Sequence, residues 1–168
     1  MRFTIDDGRI LVEASGREID LLTTMLGQFT ELIDGRSRDP HRGELTPKDP
    51  ALARLLPDPV LDDPGAATEL RSLTEASLMS HKLKNAASVN DLLAGARKAP
   101  AAMGPDAELA MLKALTDLRL VLAARLGIEQ DGDRGRRWSL NDRRMQTAYQ
   151  WLAAVQSDLL DTMAERDR

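Results

Sequence analysis

The chain has 168 residues, 23 lysines and arginines against 27 aspartates and glutamates for a net charge of −4, and no cysteine. That is the length of one domain, enough to bury roughly 70% of its unfolded surface without covalent staples. The absent thiols exclude disulfides, thiolate metal sites and cysteine catalysis, and the acidic balance excludes a global electrostatic pull towards nucleic acid.

Residues 2 to 12 alternate Phe3 and Ile5 with Ile10 and Val12 around Asp7-Gly8, which predicts a type I′ hairpin (1–13) pairing Phe3 with Val12 and Ile5 with Ile10. Ser15 and Glu18 form a capping box, and Ile19, Leu22, Leu26, Phe29 and Ile33 then recur at helical spacing up to Asp34-Gly35. Residues 36–48 hold Pro40, Gly43, Pro47 and three arginines without periodicity and are expected to form an exposed loop. Asp49-Pro50 and Asp63-Pro64 each set an N-cap residue before a proline at the first helical position, predicting two helix starts, the first helix ending before Pro57. A further start is expected at Ser72 or Thr74. The helix running from there to about Arg97 carries Met79, Leu83, Ala86, Ala87, Asn90 and Leu93 on one face and Leu78, Val89 and Leu92 on another, so it packs on two sides.

Gly95 to Pro105 reads as a turn-rich connection. Asp106 is expected to cap a leucine-rich helix that stops at Gly127-Ile128 in a Schellman turn. Gly132, Asp133 and Gly135 mark a second exposed loop, 128–138. Ser139 caps the last helix, which presents Met145, Ala148, Leu152, Val155, Leu159 and Met163 along one stripe, flanked by Tyr149 and Trp151. The expected fold is mainly α: a single helical domain over 1–168, a bundle of about five to six helices opened by a small β-hairpin.

The placement of Arg119 is the sharpest anomaly. At about 100° per residue it lies roughly 20° from both Leu112 and Leu126, centred on the leucine stripe. A guanidinium buried there needs a carboxylate or several carbonyls. Asp63, Glu69 and Asp142 are candidate partners, and Arg54, Asp117 and Arg125 are candidate members of the same network. The alternative is an anion or partner site on that face.

Arg134, Arg136, Arg137, Arg143 and Arg144 around Trp138 form the one basic cluster, a candidate nucleic-acid or partner patch. The turn before Thr74 is short enough to be weighed as a helix-turn-helix, but no recognition helix stands out. Asp131, Asp133 and Asp142 match positions 1, 3 and 12 of a calcium loop, yet Arg136 occupies the glycine position and the calcium reading fails. Neither His41 nor His81 has a carboxylate or a second histidine at metal-ligand spacing in the sequence. There is no phosphate loop and no nucleophile elbow, and Asp62-Asp63 reads as a helix cap. The residues point to no enzyme and no cofactor. With neither an apolar leader after Met1 nor a membrane-length apolar run, the expected setting is cytoplasmic, away from membranes.

Several blocks carry a family resemblance: Asp49-Pro50-Ala51-Leu52-Ala53-Arg54-Leu55-Leu56-Pro57-Asp58, Asp63-Pro64 with Leu70-Arg71-Ser72-Leu73-Thr74-Glu75, Leu115 to Leu122, Arg125-Leu126-Gly127 and Tyr149-Gln150-Trp151-Leu152. In this order they resemble an actinobacterial domain-of-unknown-function family. Its members are typically encoded beside the ClpS protease adaptor and a JAMM-type metalloprotease, and some are described as oxidative-stress-responsive transcription regulators. The resemblance implies a non-enzymatic regulatory protein that contacts an RNA polymerase or sigma component, or else an accessory factor of Clp-type proteolysis. It supplies no catalytic residues. Redox sensing in that family is attributed to cysteines, which this chain lacks. A homodimer is compatible with the sequence.

Overall fold

The computed structural model describes residues 1–43, 45–59, 63–130 and 132–168. Strands β1 (Arg2–Asp6) and β2 (Arg9–Glu13) form the hairpin, followed by helices α1 (Gly16–Ser37), α2 (Pro50–Leu55) and α3 (Pro64–Ala96). Strand β3 (Ala101–Met103) then precedes helices α4 (Pro105–Leu126) and α5 (Leu140–Arg166). The hairpin register is the one the alternation dictates, Phe3 opposite Val12 and Ile5 opposite Ile10. Asp7 and Gly8 both take positive φ, 46° and 71°, as a type I′ turn requires. Phe3, Ile10 and Val12 are buried, whereas Ile5, at the turn end, is exposed.

The connection after α3 is not all turn. Ala101–Met103 adds a third antiparallel strand to the hairpin, Ile10 opposite Met103 and Val12 opposite Ala101. Three residues are too short to show alternation, and the pairing supplies what local sequence lacks. This small sheet closes one end of the helices.

α4 is the central helix. It packs on α2, α3 and α5 and more lightly on α1, and its buried side chains, among them Ala110, Met111, Ala114, Leu115, Leu118, Ala123 and Leu126, point in nearly every direction around its axis. Pro105 occupies its first turn after a Gly104 N-cap, with Asp106 inside that turn and not at the cap. Gly127, at φ 67°, ends it as read from sequence: the Ile128 N–H donates to the Ala123 carbonyl at 2.9 Å and the Gly127 N–H to that of Ala124 at 3.2 Å. α5 starts on the Ser139–Asp142 capping box and buries Leu152, Val155 and Leu159.

Between Pro64 and Ala96 the chain is one 33-residue helix with no break at Ser72 or Thr74. The Ser72 and Thr74 hydroxyls donate to the carbonyls of Glu69 and Leu70, both 2.8 Å away, so they bond back along the helix instead of capping a new one. The turn on which a helix-turn-helix reading depended is therefore absent among the described residues. The later part of α3 packs on two sides, against α1 and α4, although Leu78 remains exposed.

Candidate functional site

None of the carboxylates proposed for Arg119 bonds to it. The Asp63 carboxylate caps α3 by accepting from the Gly65 N–H at 2.8 Å, Glu69 is exposed, and Asp142 serves the capping box of α5. Arg119 is half-buried: its Nη1 donates to Gln156 Oε1 at 2.6 Å, and its guanidinium lies 5.4 Å from the centroid of the Tyr149 ring. Arg119 shares its sector of α4 with Leu115 and Leu126, but α5 packs beside that sector and lets the guanidinium reach the helix-helix edge. There a neutral amide and a π face replace a counter-charge.

The other network candidates fall into separate pairs. Asp117 is held by Lys82 of α3 at 2.6 Å. Burial pushes the Asp117 carboxyl above its ordinary value, and Lys82 offsets this only in part. Arg125 reaches the Asp49 carboxylate at 2.7 Å while Asp49 also accepts from the N–H groups of Ala51 and Leu52. Burial raises the Asp49 carboxyl, but these donors outweigh it and hold it below its ordinary range. Arg54, half-buried in the last turn of α2, makes no salt bridge among the described residues.

Arg36, which the sequence reading placed in an exposed loop, is the one buried basic side chain among the described residues. α1 continues to Ser37, and the Arg36 and Glu75 side chains are each only 3% exposed. Arg36 Nε donates to Glu75 Oε1 at 2.6 Å and Nη2 to Oε2 at 3.2 Å, while Nη2 also reaches the Leu45 carbonyl and Nη1 Asp39, both at 2.6 Å. Glu75 receives the Gly43 N–H at 3.0 Å. Gly43 has φ 82°, and a Cβ on it would stand 3.0 Å from the Ser72 backbone, so only glycine lets the loop approach α3 so closely. Thus part of 36–48 is clamped inside, with Arg36, Gly43 and Pro47 buried. The signal was present: Leu22, Leu26, Phe29 and Ile33 extend at the same spacing to Arg36, and Glu75 lies one turn before Met79 on the apolar face of α3.

The concave surface of greatest interest lies between α1 and α5. Both helices pack on α4 without substantial packing on each other, which leaves a groove. Its first part, about 520 Å³, is walled by Arg17, Glu18 and Leu21 of α1 and by Arg143, Arg144, Thr147, Ala148 and Trp151 of α5. A second part, about 620 Å³, continues past Met25, Gln28 and Leu32, over Leu118, Val121 and Leu122 of α4, to Asn141 and Met145. The surface lining the first part is almost entirely apolar. Leu21 and Arg17 lie on an outer row of α1, Arg17-Leu21-Met25-Gln28-Leu32, beside the buried row; the sequence reading missed it because only the stronger stripe was followed.

The basic cluster divides accordingly. Arg143 and Arg144 line the groove and make no salt bridge among the described residues. Arg134, Arg137 and Trp138 lie on the loop outside it, with Trp138 89% exposed. Arg136 is tied to the end of α4, its guanidinium donating to the Arg125 carbonyl and its N–H to the Leu126 carbonyl. Asp131 of the calcium register, and Asp62 of the Asp62-Asp63 pair, lie outside the described residues. Asp133 accepts from the N–H groups of Glu129 and Gln130 in its own loop. Among the described residues no three His, Asp or Glu side chains gather at metal-ligand spacing, and no helix is long and apolar enough to cross a membrane. A smaller cleft between α3 and α4 holds His81, Lys82 and Lys113, with its acid, Asp117, committed to Lys82.

Fold and groove define a mainly α-helical domain with an arginine-lined apolar furrow. The chain belongs to the family described as a domain of unknown function (DUF2017), whose family model matches residues 1–163. No curated protein and no solved structure matches the chain.

Proposed function

We propose that this protein is a non-enzymatic regulatory module of the cytoplasm that works by binding another protein, in the setting of transcriptional or stress control. The observation that carries the reading is the groove between α1 and α5, where apolar surface occurs together with Arg17, Arg143 and Arg144, which make no salt bridge among the described residues. Contiguous apolar surface left in water by a folded domain marks an interaction site more often than an accident of packing, and arginine is enriched in such sites. Trp138 and Leu140, 89% and 59% exposed, add apolar surface at the start of α5. The resemblance to actinobacterial stress regulators encoded beside ClpS supports the setting. Arg119 has its own partners in Gln156 and Tyr149, which makes it a poor centre for an anion sensor.

The test is a nuclease-treated pull-down of the tagged protein from its own cell lysate, beside a Leu21→Asp variant and an Arg134, Arg136, Arg137 triple-alanine variant. An RNA polymerase or sigma component retained by the parent and the triple variant, and lost from Leu21→Asp, is the expected result. Recovery of protease or adaptor subunits would move the protein to Clp-type proteolysis. Retention that nuclease abolishes would overturn the protein-contact reading in favour of nucleic acid.

A further inference from the structure

We infer that the groove between α1 and α5 receives an acidic amphipathic α-helix of a partner protein; this rests on the protein-contact reading above and names the chemistry of the partner. From Arg17 to Leu32 the α1 wall spans about 22 Å at 1.5 Å per residue, room for roughly four turns of a docked helix. The walls present apolar side chains one turn apart, Leu21 and Met25 on α1 and Ala148 and Met145 on α5. That spacing is complementary to the i, i+3, i+4, i+7 stripe of a helix laid between them, and the two methionines adapt to side chains of different shape.

Charge selects the occupant. Arg17, Arg143 and Arg144 stand at the rim without a salt bridge among the described residues. Of the carboxylates along the walls, Glu18 is engaged by the N–H and hydroxyl of Ser15, both 2.8 Å away, and by the N-terminal ammonium, and Glu31 lies in the second part, where Arg125 is held by Asp49. In a chain of net charge −4 this is a local basic rim around an apolar floor, which attracts acidic flanks and repels basic ones. A second copy pairing groove to groove about a two-fold axis would set the same arginines against each other. Nucleic acid would leave the apolar floor uncovered.

Trp151 lies in the groove and reports on it once Trp138→Phe removes the other tryptophan. The probe is a synthetic peptide of about 16 residues with leucine at i, i+3, i+4 and i+7 and glutamate elsewhere, alongside a twin carrying lysine in place of glutamate. The expected result is a saturable blue shift of Trp151 emission with the glutamate peptide, at least about tenfold tighter than with the lysine twin and weakened by salt. In Arg143→Glu/Arg144→Glu, both exposed positions, the preference should invert. Equal affinity for both peptides, no shift with either, or a dimer in sedimentation that Leu21→Asp dissolves would each overturn the inference. The pull-down result stands apart from these outcomes, since a partner retained by Leu21→Asp would keep the protein-contact function and relocate its site.

Discussion

The two ends of α1 treat arginine in opposite ways. At its C-terminal end Arg36 is enclosed, with a carboxylate, a second acid and a carbonyl satisfying its donors. Near its N-terminal end Arg17 stands in the open beside Arg143 and Arg144, next to apolar side chains that none of the described residues covers. A buried guanidinium is stable only when its partners are built in, so the first arrangement belongs to folding. Unpaired guanidinium groups around uncovered apolar surface do nothing for the isolated fold, and are available to something outside it.

That contrast can be broken most sharply at Glu75. Glu75→Ala leaves Arg36 buried without its main partner and frees the Gly43 N–H, and should cost about 3 to 5 kcal/mol in a urea melt. Replacing both partners, Arg36→Met with Glu75→Leu, should recover much of that loss, because no uncompensated charge remains. Recovery of nothing would mean that the loop contacts, and not the ion pair, carry the stability.

The Lys82–Asp117 pair is intermediate, since the Lys82 side chain is 17% exposed and has a route to water. Asp117→Ala should cost about 1 to 3 kcal/mol by the same melt. Its pH dependence has a distinctive sign. The folded-state value of Asp117 lies above the ordinary 3.8, so the folded protein takes up this proton at higher pH than the unfolded chain does. The parent should therefore gain stability relative to Asp117→Asn as pH falls from the raised value towards 3.8. Asp49 has the opposite sign: its folded value is lowered, so its contribution is present above 3.8 and lost as pH falls through the folded value. Urea midpoints of parent and Asp117→Asn through this range check the direction.

Arg119→Met should change stability by no more than about 1 kcal/mol, the scale of one hydrogen bond and a half-exposed cation–π contact. A loss as large as that of Glu75→Ala would show that Arg119 is the buried charge its place in the leucine stripe suggests. Smallest of all should be Arg143→Glu/Arg144→Glu, within about 0.5 kcal/mol of the parent, because exposed charges without partners contribute little.

The legible parts of the fold were those written locally. The Asp7-Gly8 turn, the Ser15 capping box, the Ser139 cap, the Asp-Pro entries of α2 and α3 and the Gly127 stop all depend on residues within a few positions of one another, and all stand where the sequence places them. The third strand and the unbroken α3 depend on distant partners: Ala101–Met103 is a strand because β2 offers an edge, and Ser72 and Thr74 stay helical because their hydroxyls bond backwards. The charge reading misplaced its centre for a related reason. Periodicity fixes the direction a side chain takes from its own helix, whereas burial depends on which neighbour lies there. Arg119 points between helices towards Gln156, and Arg36 points into a loop that folds over it. Of the groove, sequence identified Arg143 and Arg144 but not Arg17, Leu21 or Met25, since a groove wall shared by two helices leaves only a weak second stripe on each.

The most direct measurement is a pair of urea melts, Glu75→Ala and Arg143→Glu/Arg144→Glu, each against the parent. The account predicts a loss of about 3 to 5 kcal/mol for the first and no more than about 0.5 kcal/mol for the second. A comparable loss in both would contradict it, because the groove arginines would then be holding the fold together and would not be free for a partner.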